Sequence, residues 1–281
     1  MNSVSIVTNL LFLGVMFIFS CSKPSPADLF AAVKSDDVAS AQQLLRHGAV
    51  IDKKGPEGRT PLGLACASGY EKMAKLLLEN HADVDSPDNS GESPLSVVSS
   101  KGYDRIAELL IEYKADVNTA NKDGITPLMY GAAYGFERIV ELLLRRHADV
   151  EAVSKEGLTA LAYACFHDQP RIAQMLIDHQ ANVDFKEFGD DSLLLLIAYQ
   201  GNTRLAELLL KNGADVNIRN KNGDTPLMAA CKSRNLEMVK LLIAHHADVN
   251  AKDENGDTPL IHAQRTKEEH VIRFLAAAGA K

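Results

Sequence analysis

Apolar positions fall into two kinds of run that alternate along the chain. The first opens on Thr-Pro-Leu and continues with small or apolar residues, as from Leu62 to Ser68. The second is amphipathic, with Ile106, Ala107, Leu109 and Leu110 toward one face, or with a leucine triplet at 76–78, 142–144 and 208–210. Each run fits a short helix with one apolar side. The threonine can accept from the first free backbone N–H groups, and proline at the first helical position loses no hydrogen bond. Gly69, Gly102, Gly135 and Gly201 then break the first helix, and Gly48, Gly213 and Gly279 are placed to end the second in the left-handed conformation.

The alternation has a fixed period. Thr-Pro-Leu begins at Thr60, Thr126, Thr225 and Thr258, and every gap is a multiple of 33 residues. Degenerate copies at Ser93, Thr159 and Ser192 complete a series at 60, 93, 126, 159, 192, 225 and 258 without insertion or deletion. A tail recurs in the same register, as in His81-Ala82-Asp83-Val84-Asp85 and Gly213-Ala214-Asp215-Val216-Asn217. Such a period predicts an all-α stack of identical supersecondary units, not a globular domain around a buried active site. Residues 27–281 are expected to form one repeat domain. An N-terminal cap repeat over 27–52 has Leu29, Phe30, Val33, Leu44 and Leu45 facing inward, and the seven anchored repeats follow it.

The near-complete pattern at 222–230, Asn-Gly-Asp-Thr-Pro-Leu-Met-Ala-Ala, together with Gly-Ala-Asp-Val-Asn at 213–217, resembles the ankyrin repeat family. The resemblance recurs seven times in register. It implies an ankyrin-repeat solenoid of helix–turn–helix units, with a β-turn finger projecting between repeats. Family members usually carry His directly after Thr-Pro-Leu, where it ties neighbouring repeats together. Here those positions hold Gly63, Ser96, Met129, Ala162, Leu195, Met228 and Ile261, so stacking is expected to lean on apolar contact. The unit at Ser192 departs furthest from the pattern. It lacks the proline, shifts its loop glycine to Gly189, and adds Phe185, Phe188 and the leucines 193–196, which predicts a distorted finger.

Residues 1–20 hold no charged side chain, and Leu10 to Phe19 is apolar apart from Gly14. The run is short of the roughly 20 apolar residues of a spanning helix and has the size of a secretory signal core. Ile18-Phe19-Ser20-Cys21 resembles a bacterial lipobox, which would make 1–20 a signal peptide, Cys21 the acylated residue and 21–26 a tether. Phe19 is bulkier than the residue usually found there, and the leader lacks Lys or Arg. Secretion without lipid, and a chance apolar leader on a cytoplasmic protein, are the alternative readings.

Composition narrows the chemistry. The net charge is −7 and no basic stripe exists, which argues against nucleic acid as a partner. Cys66, Cys165 and Cys231 each stand six residues after an anchor, in repeats one, four and six. Helices stacked about 8–10 Å apart place these sulfurs beyond disulfide reach, so small packing residues are the expected role. His81, His147 and His246 take the place of the helix-ending glycine, and His47, His179 and His245 precede that position. They recur with the repeat and lack metal-ligand spacing. No phosphate loop or nucleophile motif is present. No cofactor, metal or catalytic residue is expected, and a non-enzyme, monomeric in solution, is the main reading; an enzyme or metal-dependent protein is the remote one.

In the ankyrin family the partner surface is the concave face, built from finger tips and the exposed residues of the first helix. On this chain that resemblance gathers the large apolar and aromatic residues into repeats three to five: Ile125, Tyr134, Leu158, Phe166, Phe188 and Tyr199, with His167 among them. They are expected to form one patch within a polar rim that includes Glu92, Lys101, Asp123, Lys155, Glu156, Asp191 and Asp224. Local packing of the irregular fifth repeat is the competing role for Phe166, Phe188 and Tyr199. The expected function is a non-catalytic interaction module that binds a protein on its concave face. It would be exported to the bacterial periplasm and tethered to a membrane by lipid on Cys21, with an envelope enzyme or a toxin as the partner. A cytoplasmic interaction protein is the alternative.

Overall fold

The computed structural model describes residues 26–187 and 191–281; side chains at 26–28 and 186–187 are not among those described. The leader 1–20, Cys21 and most of the tether therefore lie outside the described residues, as do Phe188 and Gly189.

Every anchor caps a helix. Thr60, Ser93, Thr126, Thr159, Ser192, Thr225 and Thr258 are buried, and each side chain accepts the N–H three residues on. The inner helices that follow are α3 (Pro61–Ser68), α5 (Pro94–Lys101), α7 (Pro127–Tyr134), α9 (Ala160–Phe166), α11 (Leu193–Gln200), α13 (Pro226–Lys232) and α15 (Pro259–Thr266). Each is followed by an outer helix: α4 (Glu71–Glu79), α6 (Asp104–Glu112), α8 (Glu137–Arg145), α10 (Pro170–Asp178), α12 (Thr203–Lys211), α14 (Leu236–Ala244) and α16 (Glu269–Ala277). α1 (Pro26–Lys34) and α2 (Val38–Arg46) form the first pair.

Helices of eight or nine residues do not persist alone in water, so packing supplies their stability. The inner helices are sandwiched: α7 packs on α5 and on α9, and α13 on α11 and on α15. Hence they are buried almost all round; every residue of α5 from Pro94 to Ser99 is buried, Ser96 and Ser99 included. The outer helices bury one stripe, such as Ile139, Val140, Leu143 and Leu144 of α8. One continuous core results, running from Leu29 to Leu275. Cys66, Cys165 and Cys231 lie within it as packing residues. Burial pushes the Cys66 thiol well up and that of Cys231 to about 12, so neither is a ready thiolate.

The register imposes a left-handed residue after each helix, glycine or not. His81, His147 and His246 take φ of 65, 59 and 69°, and Lys114 and Gln180 do the same. These histidines therefore turn the chain at a helix end.

Stacking is less purely apolar than the missing histidine suggested. A polar ladder runs along the tails. The side chains of Asp52, Asp85, Asn118, Glu151, Asp184, Asn217 and Asn250 each accept the backbone N–H thirty-one residues on, from Asp83, Asp116, Asp149, Asn182, Asp215, Asp248 and Lys281. The fingers pair as well: Asn89 N–H donates to Glu57 O, Lys122 to Ser90 O, Lys155 to Asp123 O and Glu254 to Asn222 O. In the irregular fifth repeat, β1 (Lys186–Glu187) and β2 (Asp191–Ser192) pair antiparallel, Lys186 opposite Ser192.

One rung carries a testable penalty. Burial, reinforced by the carboxylates of Asp116 and Asp83, raises the Asp85 carboxyl above its ordinary range despite the N–H of Asp116. A raised folded value means that ionisation costs stability above it and costs nothing once the group is protonated. Asn already fills the same rung at Asn118. Asp85→Asn is therefore expected to stabilise the protein by a few tenths of a kcal/mol at neutral pH, a small figure because the group is screened by solvent. The gain should vanish on acidification. Denaturant midpoints at neutral and acid pH measure it; a mutant less stable at neutral pH would show that the charge strengthens the rung.

Candidate functional site on the finger and inner-helix face

The fingers and the C-terminal turns of the inner helices share one surface. Lys232 of α13 reaches Asp224 at the base of its finger, 2.6 Å away, and the Arg265 fork of α15 closes on Asp257. On this face the expected patch separates into three layers. Tyr134 and Tyr199 are 56 % and 60 % exposed, and His167 is exposed between them in sequence and in the stack. Ile125 and Phe166 are half-buried against the core. Leu158 is only 4 % exposed and belongs to the core, which corrects its expected place on the surface. The residue before each anchor lies where one repeat meets the next, so Arg59, Glu92, Asp191, Asp224 and Asp257 are part-buried there too. In repeat four the finger closes over Leu158, whose carbonyl accepts from Ser154 N–H. Phe188, the remaining member of the patch, lies outside the described residues.

Tyr134 is held in place. Its ring stacks on Tyr130, centroids 6.3 Å apart and planes within 6°, and tilts against Phe136 at 6.2 Å. The Tyr130 hydroxyl donates to Glu92 Oε1 at 2.5 Å, and Asn121 Nδ2 donates to the same oxygen at 2.5 Å. Burial first, and then the bonded Glu92 carboxylate, push the Tyr130 phenol far above its ordinary value, so it remains a donor.

This clamp was not foreseen from the sequence, and it recurs. It joins the residue before one anchor to the residues five before and four after the next. At the junction of repeats five and six Asn220 donates to Asp191 at 2.7 Å. At the last junction Asp224, Asp253 and His262 bring possible ligand atoms within 4.8 Å of one another. Each already has a protein partner. Lys232 lies on Asp224, the N–H groups of Asn255 and Asp257 donate to Asp253 Oδ1, and His262 Nε2 is 3.0 Å from Asp253 Oδ2. Glu92, Asn121 and Tyr130 fill the equivalent slots of repeats two and three; here the bonds run within each repeat, Lys232 to Asp224 and His262 to Asp253, with Asp224 beside that pair across the junction. The available signal was a polar or aromatic residue four after an anchor, Tyr130, Tyr163 and His262, where Leu64, Val97, Leu196 and Ala229 stand elsewhere.

An open cleft of about 310 Å³ lies over this last clamp, lined by Asp224, Lys232, Asp253, Asp257, His262 and Arg265. Within it Lys232 pairs with Asp224, Arg265 with Asp257 and His262 with Asp253, and Glu254 lines it as well. Among the described residues no helix is long and apolar enough to cross a membrane.

Comparison with known proteins agrees with the geometry. A family profile for ankyrin repeats, three copies long, matches residues 29–121, 97–187 and 194–281. Among solved structures the chain is similar to the ankyrin repeat domain of Bcl-3, described as a unique member of the IkappaB protein family. The identity is 27 % and the TM-score 0.71, over 77 % of this chain and 97 % of that one. No curated protein gives a significant match. In all, 591 solved chains match, so the fold alone does not select a partner, and the side chains on its surface must. With the capped helix pairs, the finger ladder and the profile spanning nearly all described residues in agreement, the chain belongs to the ankyrin repeat family, whose repeats form a protein–protein interaction module.

Proposed function

We propose that this chain is a non-catalytic scaffold that holds a protein partner on the finger and inner-helix face, exported and tethered to a bacterial membrane through lipid on Cys21. The observation that carries the binding half is the pair Tyr134 and Tyr199, both more than half exposed on that face. Aromatic side chains left in water on a rigid scaffold are what interface centres use, because they bury large area with little loss of freedom. The tether half rests on the apolar leader that ends at Cys21. If Cys21 carries more than one acyl chain the attachment is firm, since a single chain binds only marginally. The partner is then an envelope protein, an enzyme or a toxin.

Two measurements test the halves separately. Metabolic labelling with a fatty acid should mark the wild type and not Cys21→Ala; label retained in the variant removes Cys21 as the anchor. Capture of a partner from an envelope extract should weaken about tenfold or more in Tyr134→Ala with Tyr199→Ala, the effect expected for two hot-spot aromatics, while the thermal midpoint stays close to that of the wild type. Unchanged capture removes the face.

A further inference from the structure

The last repeat junction differs from the others in the charges it brings together. The register sets the residue before one anchor opposite the residue five before the next. Arg59 meets Asp88 at 3.4 Å, Glu92 accepts from Asn121, and Asp191 accepts from Asn220. The slots between them hold Ile125 with Ser154 and Leu158 with Glu187, each with an apolar member. The last junction alone sets a carboxylate against a carboxylate, Asp224 of repeat six against Asp253 of repeat seven. Two like charges brought together away from water call for a cation between them.

His262 completes the group. One ligand atom from each of Asp224, Asp253 and His262 lies within 4.8 Å of the other two. The Asp253 and His262 side chains are only 5 % and 8 % exposed, so water solvates this charge poorly. His262 Nε2 stands 3.0 Å from Asp253 Oδ2. Two ligand atoms bonded about 2.1 Å from one metal ion, at close to a right angle, are separated by the same distance. The N–H groups of Asn255 and Asp257 hold the other Asp253 oxygen, which orients the carboxylate as outer partners orient metal ligands. The open cleft of about 310 Å³ above the group leaves room for water to complete a coordination shell. Its lining sets four carboxylates, from Asp224, Asp253, Glu254 and Asp257, against two permanent cations, Lys232 and Arg265. The excess of negative charge favours a cation over an anion. Lys232 now bonds Asp224 Oδ1 at 2.6 Å, and its side chain is 33 % exposed. One ammonium offsets one carboxylate of the two, and its flexible stem lets it turn out into solvent.

We infer that Asp224, Asp253 and His262 form a site for a divalent transition-metal ion that displaces Lys232 and ties repeat six to repeat seven. An imidazole nitrogen beside two carboxylates suits zinc or its neighbours, whereas calcium and magnesium take oxygen ligands. The site shares no residue with the tyrosine pair of the proposed partner face.

The probe is Zn2+ alone, titrated by calorimetry at neutral pH into the full chain after treatment with a chelator. The wild type is compared with Asp224→Asn, His262→Gln, Lys232→Met and a double variant of the adjacent pair, His245→Gln with His246→Gln. Asp224→Asn and His262→Gln should each weaken binding by at least about tenfold, the loss seen when even an outer partner of a metal ligand is removed. Lys232→Met should tighten it by up to about fivefold, the worth of a part-exposed ion pair that no longer has to be broken. The His245/His246 variant should bind as the wild type does, and Zn2+ should raise the thermal midpoint of the wild type. Circular dichroism confirms that each variant is folded; Asp224, the more exposed ligand, supplies the test if His262→Gln is not. Zn2+ binding that survives Asp224→Asn and is lost with His245 and His246 would overturn the site, as would no binding at all. Weaker binding in Lys232→Met would also overturn it, because the ammonium would then support the ion instead of competing with it. Ca2+ bound as tightly as Zn2+ would remove His262 as a ligand.

Discussion

Gly102→Val is expected to lower the free energy of unfolding by about 2–5 kcal/mol, combining left-handed backbone strain with overpacking. Gly102 ends α5 with φ 75°. A Cβ there would lie 2.5 Å from Cε1 of Phe136 and 2.8 Å from its Cδ1 and Cζ. The ring cannot retreat freely, because it is packed against the core and against Tyr134. The valine must therefore distort the turn or drive Phe136 off its seat, and with Phe136 goes the support beneath Tyr134. Gly48→Ala is the matched control. Its φ is 82°, but nothing lies within 4 Å of the new Cβ, so only the backbone term of about 1–2 kcal/mol is expected. Urea unfolding followed by circular dichroism compares the two. Equal losses would mean that Phe136 moves aside at no cost.

The second large effect is expected at the last repeat junction. Asp253→Ala should destabilise by about 2–4 kcal/mol, because three buried or part-buried donors lose their acceptor together. The N–H groups of Asn255 and Asp257 donate to Oδ1, both at 2.9 Å, and His262 pairs with Oδ2. His262 is 7 % exposed and would be left without this partner inside the stack. The damage should be local, since each repeat meets only its neighbours. Faster amide exchange is expected in α15 and α16, with α5 to α8 unchanged. Protection lost evenly along the array would contradict a local clamp.

Asp253 also gives the junction a pH dependence of known sign. Burial opposes its charge, but the N–H groups of Asp257 and Asn255 and the contact with His262 outweigh burial and hold the carboxyl below its ordinary 3.8. A depressed folded value contributes stability that is present above 3.8 and lost as pH falls through the folded value. Asp253→Asn keeps an acceptor for the turn but lacks the charge. Its deficit relative to the wild type should be constant at neutral pH and shrink below pH 3.8. Denaturant titrations along a pH series check this, and a deficit that persists into strong acid would assign the loss to the shape of the amide.

How far the sequence could be read differs from feature to feature. The caps at Thr60 and Thr258, the left-handed ends at His81 and His246 and the burial of Cys66 and Cys231 all follow from position within a 33-residue unit. A strict period fixes the local environment of each residue once one unit is understood. The surface was read less well. Tyr134 and Tyr199 stand out as expected, yet Leu158 is covered and Ile125 and Phe166 are half-covered. Depth at the residue before an anchor is set by how one finger closes on the next, and that closure depends on residues about thirty positions away.

The sequence by itself determined the helix pairs, their ends and their order, because capping, proline placement and amphipathic spacing act within a few residues of chain. It also singled out the apolar leader ending at Cys21, since a break in composition needs no folding to be seen. Only the tertiary structure decided the polar ladder from Asp52 to Lys281, the clamps of Glu92 with Tyr130 and of Asp253 with His262, and the stack that holds Tyr134 toward solvent. The ladder and the Glu92 clamp join atoms in different repeats, whereas the Asp253–His262 pair links a finger to its own helix and the tyrosine stack lies along α7. Whether two polar groups thirty residues apart come within hydrogen-bond distance depends on the packing of the helices between them, and no single unit of the repeat contains that information.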